Sequence, residues 1–154
     1  EDLDPRKVPE FLSELKAEAL LETLAENELL ITSDTIVLIE NEILGKPESF
    51  DHAVEMLQKL SGKSHDVITG VHLRTKGNSK SFSVTTKVLF KTISEESIRY
   101  YIEKYKPFDK AGSYGVQEWI GYTAIERLEG SYFNVMGLPV AELWEELQSF
   151  PAGN

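Results

Sequence analysis

No cysteine occurs among the 154 residues, which rules out disulfides, thiolate nucleophiles and any zinc site built on cysteine. That absence is compatible with a reducing cytoplasm, where the protein is expected to reside. No apolar run approaches the roughly 18 residues that a membrane span requires, no basic amphipathic segment suits a membrane surface, and no signal peptide is expected. Positive charge is scarce too. With 16 Lys and Arg against 26 Asp and Glu, the net charge is −10, which excludes a general nucleic-acid binder with its basic footprint. One nucleotide ligand is still compatible, because a few local cations and a divalent ion can serve a single phosphate site. Neither a G-x-G-x-x-G loop, nor a Walker loop, nor a G-x-S-x-G elbow is present.

What is there is one domain's worth of chain with an ordinary share of apolar residues, 41%, enough to build a core. Its most informative stretch runs from Ile31 to Pro47 (I-T-S-D-T-I-V-L-I-E-N-E-I-L-G-K-P). Leu29-Leu30-Ile31 and Ile36-Val37-Leu38-Ile39 are β-rich apolar runs typical of a buried strand. Between them lie Thr32, Ser33, Asp34 and Thr35, read as a strand break. A carboxylate in such surroundings is costly to desolvate unless hydrogen-bonded, paired or metal-bound. Twelve positions on, Lys46 sits in Gly45-Lys46-Pro47, returned beside Asp34 by a hairpin at Glu40-Asn41-Glu42. Acid and cation together suit a phosphate and metal site. The bland alternative is a turn aspartate that stops a strand, with Lys46 solvated, and spacing alone does not choose.

Around this stretch, Val8 to about Asn27 reads as a helix, with Val8, Phe11, Leu12, Leu15 and Ala19 forming its apolar stripe. Lys16 lies on the shoulder of that stripe, where a lysine ordinarily snorkels to solvent. Phe50 to Leu60 is a second amphipathic helix with Ser49 or Asp51 at its start. Residues 64–75 and 80–92 read as an antiparallel hairpin turned at Lys76-Gly77-Asn78-Ser79. Ser94 caps another helix, which Pro107 ends. Residues 108–117 (F-D-K-A-G-S-Y-G-V-Q) form a loop whose Lys110, Tyr114 and Gln117 suit reading a base or sugar edge. The competing reading is a tight turn needing Gly112 and Gly115 for positive φ. Trp119 to Leu128 is expected to be strand, residues 130–134 a turn, and Val140 to Phe150 the last helix. His52, His65 and His72 have no metal-ligand spacing and are read as structural, and Trp119, Tyr122 and Trp144 as packing. The irregular alternation of strands and helices implies a mixed α/β sheet rather than a doubly wound parallel one.

Five blocks in chain order then carry a resemblance: S-D-T-I-V, G-K-P, L-S-G-K-S-H-D-V-I-T-G-V, D-K-A-G-S-Y-G-V-Q and G-S-Y-F-N-V-M-G-L-P. Together they resemble the Maf family of nucleoside triphosphate pyrophosphatases, historically linked to septum formation. The resemblance implies an α/β fold related to inosine triphosphate pyrophosphatases, with a twisted sheet flanked by helices and two lobes in one domain spanning residues 1–154. It implies hydrolysis of the α–β phosphoanhydride, a divalent Mg²⁺ or Mn²⁺ cofactor, and a homodimer. Carried over by position, Asp34 is the proton acceptor and metal ligand, Lys16 and Lys46 face phosphate, and Thr35 and Gln117 bear on substrate choice. The Asp34-Thr35 pair with D-K-A-G-S-Y-G-V-Q resembles the branch acting on dTTP and UTP rather than the one acting on 7-methyl-GTP. The family pattern also has a first strand, a Ser-x-Ser-Pro-Arg-Arg loop and a further carboxylate ahead of the Lys16 helix. These are not in this sequence, and Glu1 and Asp2 lie too close to Lys16 to supply the acid. That departure motivates a rival expectation, a non-catalytic nucleotide-binding regulator of cell division.

Overall fold

The computed structural model describes residues 2–151, so Glu1, weighed above, lies outside the described residues. Five strands form one sheet in the order β2-β1-β3-β4-β5: β1 Leu30–Ile39, β2 Glu42–Leu44, β3 Ser64–Arg74, β4 Ser79–Phe90 and β5 Ile125–Glu129. Every pairing is antiparallel. The helices are α1 Val8–Leu20, α2 Phe50–Leu60, α3 Glu95–Tyr105, α4 Trp119–Ala124, α5 Tyr132–Met136 and α6 Val140–Ser149. This is the expected α/β class, a sheet flanked by helices.

β3 is the spine. It pairs along its length with β1 and β4 and is buried on both faces, from His65 through Leu73 with Asp66 alone partly exposed. One face carries the main core. Val37, Ile39, Val67, Val88 and Phe90 pack there against Ala53, Leu57 and Leu60 of α2 and Ile98, Tyr101 and Ile102 of α3. Farther along, Val71 and Leu73 meet Leu143 of α6. Ser49 and Ser94 cap α2 and α3 by accepting from the His52 and Ser97 amides, as their positions suggest.

The opposite face is covered by α1, and here the structure departs from the expected pattern. The α1 residues that are buried are Pro9, Ser13 and Ala17; Phe11 and Leu15 are exposed. Small residues at i, i+4 spacing let the helix backbone approach the sheet closely. The Thr32 hydroxyl donates to the Ser13 carbonyl at 2.6 Å. At Gly70 the approach is closest, for a Cβ there would lie 2.2 Å from the Glu10 nitrogen. Volume complementarity rather than apolar periodicity seats α1, so the Val8–Phe11–Leu12–Leu15–Ala19 stripe misidentified its buried face.

Four further expectations are corrected. No break interrupts β1 at Thr32–Thr35; the strand runs through Asp34, which pairs with Gly70. Residues 119–124 are helical, with β5 beginning at Ile125, and the expected turn at 130–134 contains the start of α5, capped by Ser131. Tyr122 and Trp144 are exposed at 85% and 66% and take no part in the core, whereas Trp119 sits edge-on to Tyr100.

Candidate active site

The site grows out of the shortness of β2. The two-residue turn Glu40-Asn41 has both residues at positive φ, 48° and 66°, the twist that favours a tight hairpin. It returns β2 only as far as Leu44, opposite Val37. Residues 30–36 of β1 therefore have β3 on one side and, among the described residues, no strand on the other. Peptide groups alternate along a strand, and Ile39 and Val37 face β2. By the same alternation Thr35 and Ser33 turn their N–H and C=O groups to the open edge. The Ser33 carbonyl there accepts from Lys16 Nζ at 3.0 Å.

A cleft of about 480 Å³ lies along this edge. α1 forms one wall with Val8, Leu12 and Lys16; β1 forms the floor with Ser33, Asp34 and Thr35; the far wall holds Lys46, Lys110, Gln117 and Met136. All five residues singled out from the sequence, Lys16, Asp34, Thr35, Lys46 and Gln117, line this one cleft. Because side chains alternate, Asp34 projects to the α1 face and Thr35 to the other. That alternation brings an acid and a hydroxyl from adjacent positions onto opposite sides of one edge.

Lys16 Nζ also donates to Asp34 Oδ1 at 2.8 Å, and the Asp34 side chain is 21% exposed. The aspartate that a buried strand tolerates is thus paired and partly wet, which removes most of its desolvation cost. Lys46 is exposed and makes no hydrogen bond or ion pair among the described residues. Lys110 has a longer contact, 3.4 Å to the exposed Asp109. The cleft therefore holds two paired acids, Asp34 and Asp109, and in Lys46 a cation with no partner among the described residues.

Several contacts that hold the walls were not anticipated. The Thr35 hydroxyl lies 2.9 Å from that of Thr69, which donates to the carbonyl of buried Asn134. The Asn134 amide donates in turn to the carbonyls of Val67 and Val84, so α5 is tied to β3 and β4. Gly112 donates to the Gly45 carbonyl at 3.1 Å, joining the Gln117 loop to the Lys46 turn. Gly112 has the expected positive φ, 70°, but Ser113 shares it and Gly115 does not. At Gly115 the need is space, since a Cβ would meet Glu118 Oε1 at 2.5 Å and Lys110 Cε at 2.7 Å. Tyr114 lines the cleft, yet its hydroxyl is 2.6 Å from Nε2 of His65. Burial lowers the His65 pKa to about 4 and raises that of Tyr114 above the usual phenol range. A neutral imidazole accepting from the phenol leaves fewer orphaned groups than the reverse. Tyr114 is accordingly an anchor for the loop and its hydroxyl is spoken for.

Among the described residues, no group of three or more His, Asp or Glu is placed to hold a metal ion. Asp34 does fit a metal held jointly with phosphate: among the described residues its Oδ2 has no partner, Oδ1 being the atom that Lys16 contacts. Mg²⁺ in nucleotide sites is commonly held by one or two carboxylates, substrate phosphates and water rather than by an all-protein cage.

A dTTP/UTP pyrophosphatase of Porphyromonas gingivalis is 50% identical over 99% of this chain and 77% of its own length. One of Bacteroides thetaiotaomicron is 52% identical over 96% of this chain and 76% of its own length, and one of Flavobacterium psychrophilum is 49% identical over 92% and 73%. The model of the Maf-like protein family matches residues 1–150. The chain belongs to the Maf family.

Proposed function

We propose that this protein is a nucleoside triphosphate pyrophosphatase that converts dTTP and UTP, and modified pyrimidine analogues, to the monophosphate and pyrophosphate. Relatives about 50% identical carry the name dTTP/UTP pyrophosphatase. The observation that carries the reading is the single cleft in which Lys16, Asp34, Thr35, Lys46 and Gln117 meet.

In this reading the triphosphate lies along the open edge of β1. Lys46 and Lys16 neutralise phosphate oxygens, and Asp34 receives the proton of the attacking water. The water oxygen bonds to the α-phosphorus as the bond to the α–β bridging oxygen breaks, and pyrophosphate leaves with that oxygen. Positioning and charge neutralisation supply most of the rate in such transfers. Thr35 on the floor and Gln117 on the wall away from α1 meet the base and sugar. Mg²⁺ or Mn²⁺ held by Asp34 and the phosphates would neutralise charge and acidify the attacking water. Assembly as a homodimer and residence in the cytoplasm are proposed with this reading, on the family resemblance.

The test is turnover of a panel of nucleoside triphosphates with Mg²⁺ or Mn²⁺, with pyrophosphate and phosphate measured separately. Stoichiometric monophosphate and pyrophosphate from dTTP and UTP, above other nucleotides, are expected. Orthophosphate as the first product, or nucleotide binding without turnover, overturns the reading; the second result favours the regulator.

A further inference from the structure

Tyr101 on α3 is the largest wholly buried side chain of the core and does not reach the cleft. Its hydroxyl nevertheless ends in a loop that does. It accepts from the Gly115 N–H at 3.0 Å and donates to Glu118 Oε1 at 2.8 Å. These two contacts grip both ends of one turn, which the Glu118 N–H closes on the Gly115 carbonyl at 3.0 Å. Gln117 sits inside that turn with its side chain exposed at the cleft. A core phenol bonded to both ends of a turn fixes the residue carried between them.

We propose that Tyr101, with Glu118 as its acceptor, is a positioning residue that sets the place of Gln117 and thereby the choice of nucleotide base. The inference rests on the pyrophosphatase reading above and names a determinant that lies outside the cleft. Two features of the loop make the brace specific. On the other side of Gly115, Tyr114 is anchored to His65 on β3, so the peptide between them is held from the sheet and from α3 at once. Gly115 is also confined by the Lys110 stem and Glu118, leaving no room for a side chain. With Tyr101 reduced to a ring, the Gly115 N–H loses its acceptor and the Glu118 carboxylate its donor. A buried donor left without an acceptor seeks water, and the turn shifts to find it. Displacements of about 1 Å at a site can cost up to about a hundredfold when geometry decides the rate.

The experiment uses the full chain and Tyr101→Phe, which keeps the ring and its stacking on Tyr105. Ile98→Val, a buried change on the same helix without a polar contact to the loop, is the control for general destabilisation. Amide exchange at Gly115 is read by NMR without nucleotide; KM and kcat are read for dTTP, UTP and dCTP. In Tyr101→Phe the Gly115 amide is expected to exchange at least about tenfold faster. KM for dTTP should rise about tenfold, kcat should change by less than about threefold, and the preference over dCTP should shrink about tenfold. Ile98→Val should leave the preference at the wild-type value. Unchanged Gly115 exchange overturns the brace whatever the kinetics. Faster exchange with wild-type KM and preference overturns its role in base choice. Wild-type protein that yields no pyrophosphate from any triphosphate instead sinks the parent reading, which the exchange measurement does not depend on.

Discussion

Asp34 shows how one residue reconciles two demands. Its neighbours Ile36, Val37 and Leu38 are buried, as a strand in a core requires, yet the base we propose it to be must reach water and phosphate. The conflict is resolved because β1 loses its outer partner beyond Val37 and Lys16 arrives from α1 at 2.8 Å. Asp34→Asn keeps the shape and one acceptor for Lys16 but cannot take a proton. We expect kcat for dTTP to fall by about 10³-fold with the circular-dichroism spectrum unchanged; a rate within tenfold of wild type would remove Asp34 as the base. His65 makes a second prediction, in stability. Its folded pKa is about 4, against 6.5 for the ordinary imidazole, because burial disfavours the charged form. Between those values the unfolded chain binds the extra proton, so this contribution is complete above pH 6.5 and is lost as the pH falls toward 4. The span corresponds to about 3 kcal/mol at about 1.36 kcal/mol per unit. Denaturant unfolding should show the His65→Gln variant losing that much less stability than wild type between pH 7 and 4. At this scale the residues that line the candidate cleft were largely legible. Asp34 and Lys46 stand out as polar residues set against apolar runs, whereas the functions of Tyr101, Thr69 and Asn134 depend on partners distant in the chain. Nothing local marks them.

At the scale of elements, the sequence indicated where strands and helices lie better than which faces they bury. Alternation in 64–75 and Ser49 and Ser94 as caps were read correctly because the signal is local: a side-chain period of two, and a hydroxyl next to unpaired amides. α1 defeated the same method. Its apolar residues mark a helix, but the face against the sheet is chosen by Pro9, Ser13, Ala17 and the missing side chain of Gly70. Residues 119–128 misled for a related reason. Aromatic and β-branched residues favour a strand, yet Gly121 sits where a Cβ would lie 1.8 Å from the Val116 carbonyl oxygen, a closeness only the folded turn creates. The α1 contact gives a testable consequence. Gly70→Ala places a methyl against the α1 backbone, which has no rotamer with which to yield, so about 1–3 kcal/mol of stability should be lost. Because α1 carries Lys16, the same push moves the ammonium off Asp34, and KM for dTTP should rise more than in a surface variant of equal stability. Loss of stability with wild-type KM would show that α1 shifts along a direction that spares the site.

At the scale of the molecule, 26 acidic and 16 basic residues surround a cleft lined by Lys16, Lys46 and Lys110. A triphosphate approaching from solvent thus meets a repulsive molecule before it meets an attractive site. Which dominates depends on salt, since the screening length is about 30 Å at 0.01 M and about 8 Å at 0.15 M. In dilute buffer the whole acidic surface acts on the nucleotide. At physiological strength only charges within about 8 Å count, and in the cleft these are three lysines against the two carboxylates Asp34 and Asp109. Added salt therefore removes more repulsion than attraction. We expect kcat/KM for dTTP at saturating Mg²⁺ to rise about two- to fivefold between 0.01 and 0.15 M KCl, the opposite of a basic nucleotide site. Lys46→Met should lower kcat/KM about tenfold at 0.15 M and by more at 0.01 M, steepening that rise, because it removes local attraction and leaves the distant field intact. A fall with salt in the wild type would mean that the lysines outweigh the acidic surface even at long range.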